Sequence, residues 1–164
     1  MMKTPASAIE IYLQPGDFYF GTSDTRIKTI LGSCVAITLW HPARRIGGMC
    51  HYLLPSRNKR STSLDGRYAD EAMEMFLLEI SRYKTKICEY HVKLFGGGDM
   101  FPRSNSVNVS AKNIDVAYRL FKRYKIEPMT QDLGSSGHRQ IIFDIWNGNV
   151  WVRYQPLKTA QPSR

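Results

Sequence analysis

The sequence predicts an α+β domain in which layered strands pack with two helices. Short β-rich runs bounded by turn residues occupy the first third and the end of the chain, and two separate stretches change to a helical period. The strands are grouped around the helices instead of alternating regularly with them, which favours layers over a doubly wound sheet. At 164 residues the chain suits a single domain over residues 1–164, with residues 1–10 and 155–164 frayed.

Four strands are predicted before the first helix, over residues 18–20, 26–31, 35–40 and 46–54. The last two are separated only by residues 41–45, a loop short enough to make them antiparallel neighbours. In such a pair the start of one strand faces the end of the other. We therefore expect Cys34 and His51 to lie at the same edge of a sheet.

The first helix is predicted from Tyr68, where apolar residues begin to recur at steps of three and four. A strand over residues 91–95 then ends in Gly96, Gly97 and Gly98, a run that indicates positive φ angles or a close approach of other atoms. The loop of residues 55–67 is rich in Ser, Arg and Lys and has no apolar period. We expect it to be mobile, either as a lid or as an ordinary surface excursion.

The second helix is predicted to be capped by Ser110 and to bury a stripe that includes Ile114 and Phe121. A short strand over residues 129–133 follows. Asn147 and Gly148 then separate two β-rich runs, which predicts a hairpin with a two-residue turn.

Composition narrows the classes of partner and compartment. The formal net charge of +9 indicates an acidic partner, although most basic residues are scattered in a way that solvated helix faces explain. No zinc-finger spacing and no RNA-binding aromatic motif occurs. Three cysteines without a secretory segment predict a reduced, cytoplasmic protein, and no run approaches the roughly 20 apolar residues of a membrane span.

A thiol beside an imidazole is the minimum apparatus for cysteine nucleophilic catalysis. For Cys34 to be mostly thiolate near neutrality, its pKa has to fall from about 8.5 to about 7, which requires roughly 2 kcal/mol favouring the anion. A nearby imidazolium and oriented backbone N–H groups can supply this. Taken alone, Cys34 is more simply explained as a small core residue, and His51 as a polar group with its hydrogen bonds satisfied.

Two other chemical readings use the same region. The chain has enough ligands for zinc, but Cys50 and His51 are adjacent on a strand and should point to opposite faces. These ligands are Cys34, Cys50, His51, Cys88 and His91. The glycine run lacks the Gly-Lys-Ser/Thr ending of a phosphate loop, so it more economically lines the Cys34 site. We interpret Cys88 as structural.

Residues 31–40 and 47–55 closely resemble the chemoreceptor glutamine deamidases of bacterial chemotaxis, the CheD family. Further matches are residues 67–70, residues 94–101, Asn113 and residues 132–139. By this resemblance Cys34 is the nucleophile, His51 the general base and Thr29 the third catalytic member. The chain differs at Cys50, where the family usually has asparagine, and at Ser135, where a glycine is common.

The resemblance implies an α/β/β three-layer fold and a substrate that consists of glutamine side chains on the cytoplasmic helices of chemoreceptors. It implies a CheC-type phosphatase as a possible partner, and no cofactor. Backbone N–H groups near Ser33 and Cys34, together with Gly96, Gly97 and Gly98, would stabilise the oxyanion. Three alternatives stay open: a non-catalytic docking module that binds receptor or phosphatase, a basic nucleic-acid-binding domain, and a cysteine peptidase.

Overall fold

The computed structural model describes residues 4–102 and 108–158, and these contain nine strands and two α-helices. The strands are β1 (Ile9–Tyr12), β2 (Phe18–Gly21), β3 (Thr25–Leu31), β4 (Val35–His41), β5 (Ile46–Tyr52), β6 (His91–Gly96), β7 (Thr130–Leu133), β8 (Gly137–Asp144) and β9 (Val150–Pro156). The helices are α1 (Ala69–Arg82) and α2 (Val109–Tyr124), and a short 3₁₀ turn spans Ile87–Glu89. None of the described helices is long and apolar enough to cross a bilayer.

The strands form two sheets. The outer sheet has the order β1-β3-β8-β9 and the central sheet the order β2-β5-β4-β6-β7. Only the β1–β3 and β6–β7 pairs are parallel. The predicted mixed, largely antiparallel α+β architecture is therefore confirmed.

Two apolar cores divide the molecule into three layers. The first lies between the helices and the central sheet, where α1 contributes Met73 and Phe76 and α2 contributes Leu120 and Phe121. The second lies between the two sheets and includes Leu31, Ala36, Met49, Phe95 and Ile141. The central sheet is thus covered on both faces, and the order of layers is helices, central sheet, outer sheet.

The predicted antiparallel pairing of β4 and β5 is confirmed, with Ala36 directly opposite His51. Every residue of β5 is buried because the strand lies inside the central sheet between β2 and β4. Glycine is required at Gly47, where a Cβ atom would collide with the Leu39 carbonyl oxygen of β4.

The frayed ends were predicted two residues too far inward on each side. Ile9 and Glu10 belong to β1, which pairs in parallel with β3, and Gln155 and Pro156 belong to β9, which pairs with β8. Edge strands of this kind are held by backbone pairing to a neighbour distant in sequence, and the local composition does not report that pairing.

Two local predictions were wrong. Asn108, not Ser110, caps α2: its Oδ1 accepts from the Ala111 N–H, and the Ser110 hydroxyl donates to the same oxygen. The β8–β9 connection covers residues 145–149 instead of two residues. The buried side chains of Ile145 and Trp146 end the strand early, since both pack inward as part of the turn.

Candidate active site

His51 lies near the end of β5, and its backbone is held from the neighbouring turn. Its carbonyl oxygen accepts from the Gly16 N–H at 2.7 Å, and its N–H donates to the Asp17 carbonyl at 3.2 Å. The ring points into the space between the two sheets, because Met49, two residues earlier, packs in the inter-sheet core while Cys50 packs in the helix-side core. The expectation that Cys50 and His51 face opposite sides is confirmed.

Thr29 in the outer sheet meets this ring across the sandwich. Its Oγ1 lies 2.7 Å from His51 Nδ1 and 2.9 Å from the Leu13 carbonyl oxygen, and the threonine is fully buried. A carbonyl oxygen can only accept, so the single hydroxyl proton of Thr29 goes to Leu13. Thr29 therefore accepts from His51 Nδ1, and the ring carries its proton on Nδ1.

This tautomer leaves His51 Nε2 with a free lone pair. The residue is 1% exposed, and Nε2 has no hydrogen-bond partner among the described residues. Burial lowers the pKa of His51 to about 4, and the charge of Asp17 only partly opposes that shift. The ring is therefore neutral at physiological pH, and Nε2 is unprotonated.

Cys34 immediately precedes β4 and is partly exposed. Its side chain packs against the inter-sheet core, the same side of the central sheet that carries the His51 ring. Ala36 is opposite His51, so Cys34 is a diagonal neighbour of the histidine in the strand pair. The structure thus brings the predicted thiol and imidazole to one face at one edge of the sheet.

The expectation that the resting thiol is ionised is not supported. Burial raises the pKa of Cys34, and a neutral His51 provides no positive charge to offset this effect. The resting pair is therefore a neutral thiol beside a neutral imidazole. Such a pair transfers its proton as the sulfur attacks, instead of storing a thiolate.

The glycine run packs directly on the backbone of the cysteine segment. The Gly97 N–H donates to the Cys34 carbonyl at 2.8 Å, and the Gly98 N–H donates to the Gly32 carbonyl at 2.9 Å. Gly96 and Gly97 have φ angles of +110° and +62°, and a Cβ atom on Gly96 would collide with the Cys34 carbonyl oxygen. The run therefore positions the Cys34 segment.

This packing changes the expected set of oxyanion donors. The N–H groups of Gly97 and Gly98 are already engaged, so they are not available as predicted. Those of Ser33 and Cys34 donate none of the turn and loop hydrogen bonds formed among the described backbone groups. The backbone N–H groups of Ser33 and Cys34 are therefore the candidate donors to the oxyanion.

A second loop braces the glycine run from behind. The Gly134 N–H donates to the Gly96 carbonyl, and the Asp99 N–H donates to the Ser135 carbonyl. Arg139, which is 2% exposed, holds this loop through hydrogen bonds to the Asp132 carboxylate and the Gly134 carbonyl. The residues at 132–139 that carried part of the family resemblance are thus support for the site.

Sequence reasoning missed the role of Asn113. This α2 residue is fully buried, and its Nδ2 donates to the Leu53 carbonyl at 2.7 Å and the Ser33 carbonyl at 3.2 Å. One side chain therefore links the segment that carries Cys34 to the segment that carries His51. The available signal was a polar residue in phase with the apolar stripe of Val116, Ala117 and Leu120.

The other two cysteines lie away from this arrangement. Cys50 is buried among helix-side residues, and burial raises its pKa to about 12. Cys88 lies in the 3₁₀ turn and is exposed, so its interpretation as a structural residue was wrong. Among the described residues, no group of three His, Cys, Asp or Glu side chains is arranged to hold a metal ion.

The loop of residues 55–67 is tied to α1 by a buried carboxylate, contrary to its expected mobility. Glu71, which is fully buried, accepts from Arg57 Nε at 2.8 Å and from the Asp65 N–H at 2.6 Å. Burial by itself would raise the pKa of Glu71, but these hydrogen bonds and the charges of Arg57 and Arg60 lower it overall. The loop is therefore anchored to the first turn of α1.

A three-layer sandwich with a cysteine and a tautomer-locked histidine at one sheet edge defines a candidate cysteine-dependent site. Comparison with known proteins specifies the class further. The family model described as CheD, chemotactic sensory transduction, matches residues 53–154. The chain belongs to the CheD family.

Its relatives match over nearly the whole chain. A protein of Pseudomonas savastanoi pv. phaseolicola is 54% identical over 164 residues, covering 98% of this chain and 93% of the relative. One of Pseudomonas fluorescens is 51% identical with the same coverage, and one of Leptospira interrogans is 36% identical over 93% of this chain and 96% of the relative. The first two are named probable chemoreceptor glutamine deamidase CheD, and the third probable chemoreceptor glutamine deamidase CheD 1.

Proposed function

We propose that this protein is a cytoplasmic protein-glutamine deamidase that converts glutamine side chains of chemoreceptors to glutamate, with Cys34 as the nucleophile. The observation that carries the proposal is the Thr29–His51 contact, because it leaves an unprotonated Nε2 on the face and edge that carry the Cys34 thiol. Family membership and the names of the relatives support the substrate class. A CheC-type phosphatase is the proposed regulatory partner.

The first half-reaction forms a thioester. The Cys34 sulfur attacks the glutamine Cδ as His51 Nε2 takes the thiol proton, and the carbonyl oxygen becomes a tetrahedral oxyanion. The N–H groups of Ser33 and Cys34 stabilise this oxyanion. The C–N bond then breaks, His51 returns the proton to the leaving nitrogen, and ammonia departs.

The second half-reaction hydrolyses the thioester. His51 Nε2, again neutral, removes a proton from a water molecule as the water oxygen attacks the acyl carbon. The carbon–sulfur bond breaks, Cys34 recovers its proton, and the side chain leaves as glutamate. The net reaction consumes one water and releases one ammonia, so it requires no cofactor. Thr29 keeps the His51 proton on Nδ1 through both steps.

The test is ammonia release from cytoplasmic fragments of chemoreceptors, with mass spectrometry of each glutamine before and after incubation. Cys34→Ala should abolish ammonia release and the mass gain that accompanies conversion of amide to acid. Cys88→Ser is the matched control, because this thiol is exposed and lies outside the site. Activity retained in Cys34→Ala, or lost equally in Cys88→Ser, would refute the assignment.

A non-catalytic docking module is the second candidate. The raised pKa of Cys34 favours this candidate. An inert cysteine would also be a neutral thiol at physiological pH. Under this alternative the unaltered chain binds receptor fragments without releasing ammonia, and Cys34→Ala binds them equally well.

A further inference from the structure

An open groove lies between α2 and the start of the 55–67 loop, with a volume of about 230 Å³. Its apolar lining is provided by Pro55, Val116 and Leu120, and the last two are largely buried. Arg119 and Arg123 also line it, and both are exposed. The groove therefore combines an apolar surface with two guanidinium groups.

The positive charge of this groove is not neutralised within the protein. Neither Arg119 nor Arg123 has an acidic group within 4 Å in the parts of the chain that the structure describes. Asp70 also lines the groove, but Arg60 is bound to its carboxylate at 2.9 Å. Asp115 lies one turn before Arg119 on the exposed side of α2, so it only partly offsets the field of the arginines.

Lys112 extends the same stripe towards the active site. Residues 112, 119 and 123 are separated by seven and four positions, which places them on one side of the helix. Lys112 is exposed and adjoins Asn113, whose side chain contacts the carbonyl oxygens of Ser33 and Leu53. At 1.5 Å per residue, the stripe extends about 16 Å along α2 from the site.

The other wall of the groove is continuous with the histidine segment. Pro55 and Ser56 follow His51 by four and five residues, and the Pro55 carbonyl accepts from the Asp70 N–H at the start of α1. Four residues of chain span at most about 14 Å, so a substrate protein whose glutamine reaches Cys34 can also contact this groove. Guanidinium groups at the rim of an apolar surface are suited to carboxylates on a partly apolar segment.

We propose that this groove, lined by Arg119 and Arg123 and extended by Lys112, binds an acidic segment of the substrate protein next to the glutamine that is deamidated. The proposal rests on the proposed function for the identity of the substrate. An acidic substrate is then attracted by one surface of α2, and not only by the net positive charge of the molecule. The groove would orient the substrate, while Cys34, His51 and Thr29 perform the chemistry.

The experiment separates binding from catalysis. Affinity for a chemoreceptor cytoplasmic fragment is measured by titration calorimetry in the Cys34→Ala background, and kcat and KM are measured with Cys34 present. Arg119→Glu/Arg123→Glu should raise Kd and KM about tenfold at low salt, with kcat within about twofold of the unaltered chain. It should also flatten the salt dependence of Kd.

Lys84→Glu/Lys86→Glu is the matched control, because it makes the same charge change at exposed positions after α1. Unchanged Kd in the arginine variant, equal weakening in the control, or no binding of the fragment by the Cys34→Ala chain would overturn the groove proposal. A single-stranded oligonucleotide that binds through the same arginines while the fragment does not would overturn it as well. Absence of ammonia release with intact, arginine-dependent binding would instead refute the proposed deamidase activity alone.

Discussion

At the scale of single residues, the hydrogen bond from Thr29 to the Leu13 carbonyl determines the protonation pattern of the site. Because that bond uses the only hydroxyl proton, the Thr29 oxygen presents a lone pair to His51 Nδ1. Threonine can hold the tautomer as an aspartate does in other triads, but without adding a negative charge. The imidazole therefore stays neutral in a buried setting, as the lowered pKa of His51 also indicates.

Replacing Thr29 should lower turnover without preventing folding. Thr29→Val keeps the shape but leaves the Nδ1 proton without an acceptor, and we expect kcat to fall on the order of 10²-fold. Thr29→Ser keeps the hydroxyl and should stay within a few-fold of the unaltered chain. Steady-state ammonia release provides the measurement, with circular dichroism as the check on folding. Equal kcat in the valine and serine variants would argue against a positioning role for the hydroxyl.

The buried histidine also predicts a pH dependence of stability. The unfolded chain protonates His51 near pH 6.5, whereas burial lowers the folded pKa to about 4, so the unfolded state binds more protons between these values. This residue should therefore make the protein lose up to about 3 kcal/mol of unfolding free energy as pH falls through that window, and nothing above it.

Urea unfolding of the unaltered chain and of His51→Gln at neutral pH and near pH 4.5 isolates this contribution. The glutamine variant should lose less stability on acidification. In the unaltered chain, the acid limb of kcat/KM should lie nearer pH 4 than pH 6.5, since only the neutral ring is a base. Parallel stability losses in both proteins would show that His51 is not the group responsible.

At the scale of elements, the sequence was informative wherever two partners were close together along the chain. The β4–β5 pair, and with it the approach of Cys34 and His51, followed from a short loop between two apolar runs. The parallel β1–β3 pair was missed because nothing in residues 9–12 indicates which strand they join. The connection around Asn147 is longer than the predicted two residues because burial of Ile145 and Trp146 overrides the preference of the Asn-Gly pair for a two-residue turn.

The anchored 55–67 loop provides an element-scale test. Glu71→Ala removes the acceptor shared by Arg57 and the Asp65 N–H, and we expect the unfolding free energy to fall by about 2 kcal/mol. Glu74→Ala is the control, because within residues 4–102 and 108–158 the ion pair of Glu74 is with the exposed Arg60, and its loss should cost less than about 0.5 kcal/mol. Urea unfolding and trypsin cleavage within the loop report the two effects. Equal stability of the two variants would contradict the anchoring role.

At the scale of the whole molecule, the layer order could be anticipated from the resemblance, but the way the layers meet at the site could not. Periodicity indicates which faces of the helices are buried. It does not show that Asn113 links the Ser33 and Leu53 segments, or that the Gly97 N–H donates to the Cys34 carbonyl. These contacts join residues 60 or more positions apart, and each depends on how a helix or loop docks on the central sheet. Such docking is set by packing between layers, which one-dimensional patterns do not encode.

The partition of Thr29 and His51 between two sheets has a consequence for biosynthesis. β3, which carries Thr29, is flanked by β1 and by β8, and β8 lies far towards the carboxyl end of the chain. During synthesis, Cys34 therefore leaves the ribosome long before the outer sheet can pack over His51. The growing chain should therefore not react with amides until β8 has been translated and has packed against β3.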